Sequence, residues 1–340
     1  MEIKLNLIDE LKNFLNKEEQ YTIPVFIPHK GCPNDCVFCN QKKISGELRD
    51  VEPRDVEHII EEYLGYYTKN KRIEVAFFGG SFTGIDIEQQ KAYLEVASKY
   101  LKEGKINSIR LSTRPDYINK EILKMLKEYG VGTIELGVQS LENKVLELSK
   151  RGHTAQDVEK ASKLIIDSGI TLGHQIMVGL PGSTIETEIE TIKKSLDMGP
   201  KQLRIYPVYV IEDSELYLMY QKHAYMPLTI KEAVNRCKAI INQCQKTDIA
   251  IIRLGLQSTS EITSSNSNIY GPVSDNFAEY VMADIIRDKI IEEIKDIEIG
   301  KEIKVIVPKK YVSVTIGPKR INKIYFENTY NVKYIVKGEI

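Results

Sequence analysis

Three cysteines, Cys32, Cys36 and Cys39, stand within eight residues of one another in the stretch HKGCPNDCVFCNQKKISG, residues 29–46. Thiolates at this C-x3-C-x2-C spacing have three chemistries open to them. A structural zinc site takes four closed ligands, usually two C-x2-C pairs or paired histidines; here there is a single run, with His29 as the nearest fourth ligand. A redox dithiol needs only C-x-x-C, which Cys36 and Cys39 supply, and it leaves Cys32 without a part. An iron–sulfur cubane is ordinarily held by four thiolates. Three thiolates leave one iron with an open position, the arrangement used where a metal must bind a substrate.

The elements that must position such a loop announce themselves as short apolar runs. These are IPVFI (23–27), IEVAFF (73–78), INSIRLS (106–112), GTIELGV (132–138), LGHQIMV (172–178) and QLRIYPV (202–208). Runs of this length without alternation suit strands buried on both faces of a parallel sheet. Amphipathic segments lie between them, such as 154–169, with Thr154 as N-cap and Gly169 past the C-terminus. The predicted fold is α/β, a partial (β/α)6 TIM-type barrel with a small α/β C-terminal appendage. The segments after each run (GGSF at 79–82, TRPD at 113–116, QS at 139–140, GLPG at 179–182, YVIED at 209–213) then gather at the C-terminal mouth, where such folds build active sites. The cysteine loop follows the first run and opens onto that mouth.

The chain has 340 residues, 42% of them hydrophobic, enough to bury a full core. Its formal net charge of -1, from 47 Lys+Arg against 48 Asp+Glu, is no footprint of a dedicated nucleic-acid binder. No stretch approaches the roughly 18 apolar residues of a membrane span. The N-terminus is charged throughout, unlike a signal peptide, so a cytoplasmic protein is expected. An odd count of five cysteines in such a chain argues for metal or redox use over a disulfide framework. Cys237 and Cys244, in a segment of helical periodicity, read as ordinary buried thiols. The expected organisation is a helical arm (1–20), a barrel (21–222) and an extension over the mouth (223–340) that includes the polar tract STSEITSSNSN.

The run Cys32-x3-Cys36-x2-Cys39, with Phe38 before the last cysteine, resembles the signature of the radical S-adenosylmethionine (SAM) superfamily. The resemblance implies a radical SAM barrel whose 4Fe-4S cluster is held by Cys32, Cys36 and Cys39. It also implies SAM chelated at the open iron and cleaved by one electron to a 5′-deoxyadenosyl radical that takes hydrogen from substrate. Phe38 and the Gly79-Gly80-Ser81 turn are then expected beside SAM, the turn through backbone contacts to its amino group. Ser112 and Arg114 are expected near its carboxylate, Arg114 by bidentate pairing; the competing use of Arg114 is a salt bridge to Asp116. Gln139, ahead of Glu135, is expected at the ribose, with Gln175 and Met177 sharing the inward face of the fifth strand. His174, on the opposite face, reads as a satisfied core residue. Arg204, Tyr206, Tyr209, Asp213 and Asp275 are the substrate candidates, with Glu212 a further acid near the mouth. A reductant such as flavodoxin or ferredoxin is the implied electron donor.

The segments GGSFTGI, RLSTRPDYI, ELGVQSL…LSKRGHT and MVGLPGST, in this order, resemble the radical-SAM half of the Elongator catalytic subunit family over about residues 21–257. Full-length members modify wobble uridine in tRNA and carry an acetyltransferase domain, which this length is not expected to accommodate. The segment YGPVSDNFAEYV lacks the family's His-Pro, so an altered lid and substrate are expected. The resulting expectation is hydrogen abstraction from a small modified nucleobase, a queuine lyase being the named instance. The alternative is an Elongator-like tRNA wobble-uridine enzyme, with Lys309, Lys310, Lys319, Arg320 and Lys323 gripping phosphates. A cluster serving only as a scaffold or redox sensor would not need the GGSF turn, Arg114 and Gln139 together.

Overall fold

The structure, a computed structural model, describes residues 1–7, 11–14, 20–27, 36–39, 51–66, 71–256, 268–295 and 300–339. A short first strand, β1 (Glu2–Lys4), belongs to a peripheral sheet. The main strands are β2 (Gln20–Ile27), β3 (Arg72–Gly79), β4 (Ser108–Thr113), β5 (Val131–Gln139), β6 (Thr171–Val178) and β7 (Gln202–Pro207). After the short β8 (Val210–Ile211) comes β9 (Ala250–Leu254), which closes the list. The sheet runs β2-β3-β4-β5-β6-β7-β9 with every pair parallel, and helices connect its strands. This is the curled partial barrel the sequence implies, with one strand more than six. Residues 250–254, expected within the extension, form β9 of this sheet. Ile251 and Leu254 share a core with Leu203 and Ile205, and the helix Ile230–Cys244 packs its buried face, Cys237 and Cys244 included, into that same core.

The strands are not apolar on both faces. Ile23, Val25, Val75, Phe77, Ile109, Leu111, Ile134 and Leu136 form one core with the surrounding helices. Their neighbours in sequence, Glu74, Arg110, Glu135, Gln175 and Arg204, hydrogen-bond to one another on the concave side. The period-two alternation is present. It was hidden because small or aromatic residues, such as Ala76, Phe78 and Gly137, take the remaining concave positions.

The expected helical arm also differs. β1 pairs in parallel with β11 (Glu302–Pro308), once β10 (Ile269–Tyr270) has paired antiparallel with β8 at the mouth. β11 in turn pairs with β12 (Lys333–Glu339). Ile3, Leu5 and Leu7 are buried, and their alternation is a strand signal that the charged residues between them obscured. The appendage packs against a long helix. Its helices Val312–Ile316 and Ile321–Tyr330 pack on the helix Phe277–Ile294, where Asn322 Nδ2 donates to Ala283 O at 2.8 Å. Residues 258–267 of the polar tract lie outside the described residues. Among the described residues, no helix is long and apolar enough to cross a membrane.

Leu7 is fully buried where the first strand meets the barrel's outer core. Leu7→Ala is expected to cost about 2–5 kcal/mol, read as a lower urea midpoint. An unchanged midpoint would mean that the N-terminal strand contributes no packing.

Candidate active site at the mouth of the sheet

Cys36 and Cys39 sit on a tight turn in which Cys39 N–H donates to Cys36 O at 2.8 Å. Two backbone bonds moor the turn: Val37 N–H donates to Ser149 O at 3.2 Å, and Leu216 N–H donates to Val37 O at 2.7 Å. Cys36 is buried and Cys39 half-buried. Cys32 and His29 lie outside the described residues. The turn opens into a cavity lined also by Phe38, Gly79, Gly80, Ser81, Ser112, Arg114, Gln139, Gln175, Met177, Tyr206 and Tyr209. All the residues the resemblance placed beside SAM therefore share one cavity with the two described cysteines.

A residue not singled out from the sequence holds this cavity together. Arg151, from the KRGH run, donates through Nη1 to Cys36 Sγ at 3.4 Å and through Nη2 to Gly137 O at 2.9 Å. A Cβ at position 137 would lie 2.5 Å from Arg151 Nη2, so only glycine admits the guanidinium. Nothing in sequence separates Arg151 from its neighbour Lys150, whose ammonium meets Glu215 at the surface. Gln139 ends β5 at a register shift against β6 and has φ 64, in the left-handed region. The bulge aims its side chain into the cavity. Gln139 Oε1 and Arg151 Nε are both buried without a partner among the described residues. An orphaned acceptor, an orphaned donor and two thiols in one cavity suit a polar, hydroxyl-bearing cofactor beside a thiolate-bound metal.

Other expected contacts are spoken for. Gly79 has φ 113, and a Cβ there would lie 2.2 Å from Ile27 O, so the glycine answers to its own sheet. Gly80 N–H donates to that same Ile27 O. Ser81 Oγ bonds Thr113 Oγ1 at 2.8 Å and accepts Arg114 N–H at 3.1 Å, tying the ends of β3 and β4. Ser112 Oγ points to Phe77 O at 3.5 Å. Arg114 reaches Asp116 through two nitrogens at 2.9 Å each and Arg151 O at 2.7 Å. Its fork is closed by Asp116, so the expected pairing with a SAM carboxylate gives way to the intramolecular salt bridge.

Beneath the cavity lies a buried charge network. Glu135 takes Arg110 Nη1 at 2.8 Å, Arg204 through Nε and Nη2, and Gln175 Nε2 at 3.0 Å. Arg110 also binds Glu74, with Nε to Oε2 at 2.6 Å. Burial pushes the Glu135 carboxyl up, but Arg204 and Arg110 outweigh it and hold it at about 2. Glu135 and Arg204 therefore serve each other. Arg204 stacks on Phe78 and reaches Tyr206 Oη, so it is a floor residue under Tyr206 and not a free substrate contact. Tyr209 lines the wall, its hydroxyl pushed up to about 12 by burial. His174 is the core residue it was read to be: Ser162 and Ser195 flank its two ring nitrogens, and burial lowers it to about 3. Asp213 is exposed and away from the cavity lining, and Asp275 lines a different cavity.

Residues 26–194 match the radical SAM superfamily and residues 200–287 the radical SAM C-terminal domain. The chain belongs to the radical SAM superfamily, whose cofactors are a 4Fe-4S cluster and SAM. Within it, the chain is 39% identical over 194 residues to a tRNA uridine(34) acetyltransferase of Methanocaldococcus infernus, covering 51% of this chain and 36% of that one. An uncharacterized protein of Methanocaldococcus jannaschii is 31% identical, with 62% of this chain and 68% of that protein aligned. The solved Elp3 of Methanocaldococcus infernus, lacking residues 1–46, superposes with a TM-score of 0.61 at 25% identity over 81% of this chain and 63% of that one. The match spans about a third of the length of the Methanocaldococcus acetyltransferases and half that of the Dehalococcoides mccartyi one.

Glu135→Ala leaves Arg204 without a carboxylate and Arg110 with Glu74 alone. It is expected to lower stability by about 3–5 kcal/mol near neutral pH. Folding lowers this carboxyl from 4.5 to about 2, so its contribution is complete above 4.5 and fades as pH falls toward 2. Urea titrations of both proteins across that window should show the deficit shrinking; a constant deficit would assign it to lost packing.

Proposed function

We propose that this protein is a radical SAM enzyme acting on a uridine of tRNA, in the manner of the Elp3-like proteins it resembles. The observation that carries this reading is the Elp3-like frame together with a cavity that joins the cysteine turn to the Gln139, Gln175 and Tyr206 wall. The free-nucleobase reading, with queuine lyase as its instance, rested on net charge and on departures near residue 272. Similarity to enzymes named for tRNA uridine outweighs both.

In this reading Cys36 and Cys39, completed by Cys32, hold the cluster. Bound together, cluster and SAM supply one-electron cleavage of a sulfonium and the abstraction of a hydrogen atom. The chain's own residues do the rest. Gln139 Oε1 accepts from a ribose hydroxyl, with Phe38 and Met177 as the apolar wall. Arg151 places positive charge against the Cys36 sulfur and fixes Gly137, from which Gln139 projects. Gln175 and Tyr206, held from below by Glu135 and Arg204, present polar edges to a pyrimidine. A flavodoxin or ferredoxin supplies the electron.

Two expectations follow. Arg151→Met removes a cationic donor from a ligand sulfur, so the cluster should be harder to reduce: its midpoint, followed by electron paramagnetic resonance, moves to more negative potential. The apo protein should also lose about 1–3 kcal/mol. An unmoved midpoint would leave Arg151 a purely structural part. For the substrate, anaerobically reconstituted protein should release 5′-deoxyadenosine faster with tRNA than with uridine or queuine. Stimulation by free queuine, with its cleavage, would overturn the tRNA reading in favour of the lyase.

A further inference from the structure

Among the described residues, the arginines of the concave face are paired with carboxylates except for Arg253. Arg110 has Glu74 and Glu135, and Arg204 has Glu135. Arg253 on β9 is the register partner of Arg204 and so shares its side of the sheet. Its one hydrogen bond among the described residues runs from Nε to Gly255 O at 3.2 Å, and no carboxylate there lies within ion-pair distance. Its electrostatic neighbours are Arg204, Tyr206 and Tyr209, and burial pulls its guanidinium below its ordinary value. A half-buried cation beside another cation, with both terminal nitrogens unspent, is costly unless an anion joins it.

Arg253 stands in the wall of a second cavity, at the β9 edge of the sheet, two residues beyond the point where Phe14 bridges Ile251. Leu256 lines this cavity and the cysteine cavity alike, so the two adjoin. The lining also includes the exposed Lys310, together with Tyr311. Asp275 and Glu279 share the lining, yet neither comes within ion-pair reach of Arg253. A planar fork of donors suits a phosphate, which accepts two parallel N–H bonds.

We propose that Arg253 binds the phosphate of the target nucleotide, with Lys310 at the rim, while the base reaches past Leu256 into the cysteine cavity. The assignment deepens the tRNA reading, since a free nucleobase has no phosphate to offer. It makes β9, the strand that the sequence concealed, the edge over which the nucleotide enters.

The test is calorimetric titration of the reconstituted, SAM-loaded protein with uridine 5′-monophosphate and, separately, uridine. The wild type should bind the monophosphate more tightly by roughly tenfold to a hundredfold, the range of a hydrogen-bonded charge pair. Arg253→Gln should abolish that difference, and Arg253→Lys should restore part of it. If wild type binds the two equally, or Arg253→Gln keeps the preference, the phosphate site is overturned. If the preference depends on Arg253 while tRNA fails to stimulate 5′-deoxyadenosine release, the site stands and the tRNA reading falls, leaving a smaller nucleotide as substrate.

Discussion

The structure turns on one buried carboxylate. Glu135 lies in the middle of the central strand and is gripped from two sides by Arg110 and Arg204, which belong to β4 and β7. Burying three charges costs several kcal/mol per ion, recovered only when geometry and hydrogen bonds are complete. Here they are: Gln175 fills a further lone pair of Glu135, and Gln202 takes another hydrogen of Arg110. With Glu74 on β3, the network spans five consecutive strands of the sheet and fixes their registers relative to one another. A curled sheet closed around an apolar plug would have no such internal ruler.

That ruler sets the height of the active site. Above Glu135 on the same strand come Gly137 and Gln139, the first making room for Arg151 and the second turned inward by a bulge. Arg151 carries the position across to the cysteine turn through Cys36, and Arg114 secures Arg151 from behind by donating to its carbonyl. The chain of contacts from Arg204 through Glu135 to the β5 backbone, and on to Arg151 and Cys36, links the substrate wall to the expected cluster ligand without passing through a flexible side chain in the open. Sites that must hold reacting groups within fractions of an ångström are built this way.

Much of this was legible in the letters, and what was not has physical causes. The six strands, the mouth and the cysteine turn follow from runs and spacing, and the place of Gln139 in the cavity lining follows from its position at a strand end. Arg114 misled because a guanidinium near a phosphate- or carboxylate-binding mouth reads the same whether or not a local aspartate has claimed it. Arg151 escaped because its significance comes from Gly137, fourteen positions away, and not from its own surroundings in sequence. β1 and β9 escaped for a shared reason. Each is a short strand whose partner lies far along the chain, Glu2 opposite Lys304 and Gln202 opposite Ala250, so no local pattern discloses the pairing.

The distribution of charge on the concave face argues for a polar ligand in its own right. A barrel meant only for stability fills its interior with branched apolar residues in layers. This one carries glutamates, glutamines and arginines instead, and it compensates them pair by pair as far as β7. On β9, Arg253 has no carboxylate within ion-pair distance among the described residues, and it stands next to the cavity that adjoins the cysteine turn. An uncompensated charge at the end of a balanced series marks the point where the protein's own groups end and the ligand's are needed.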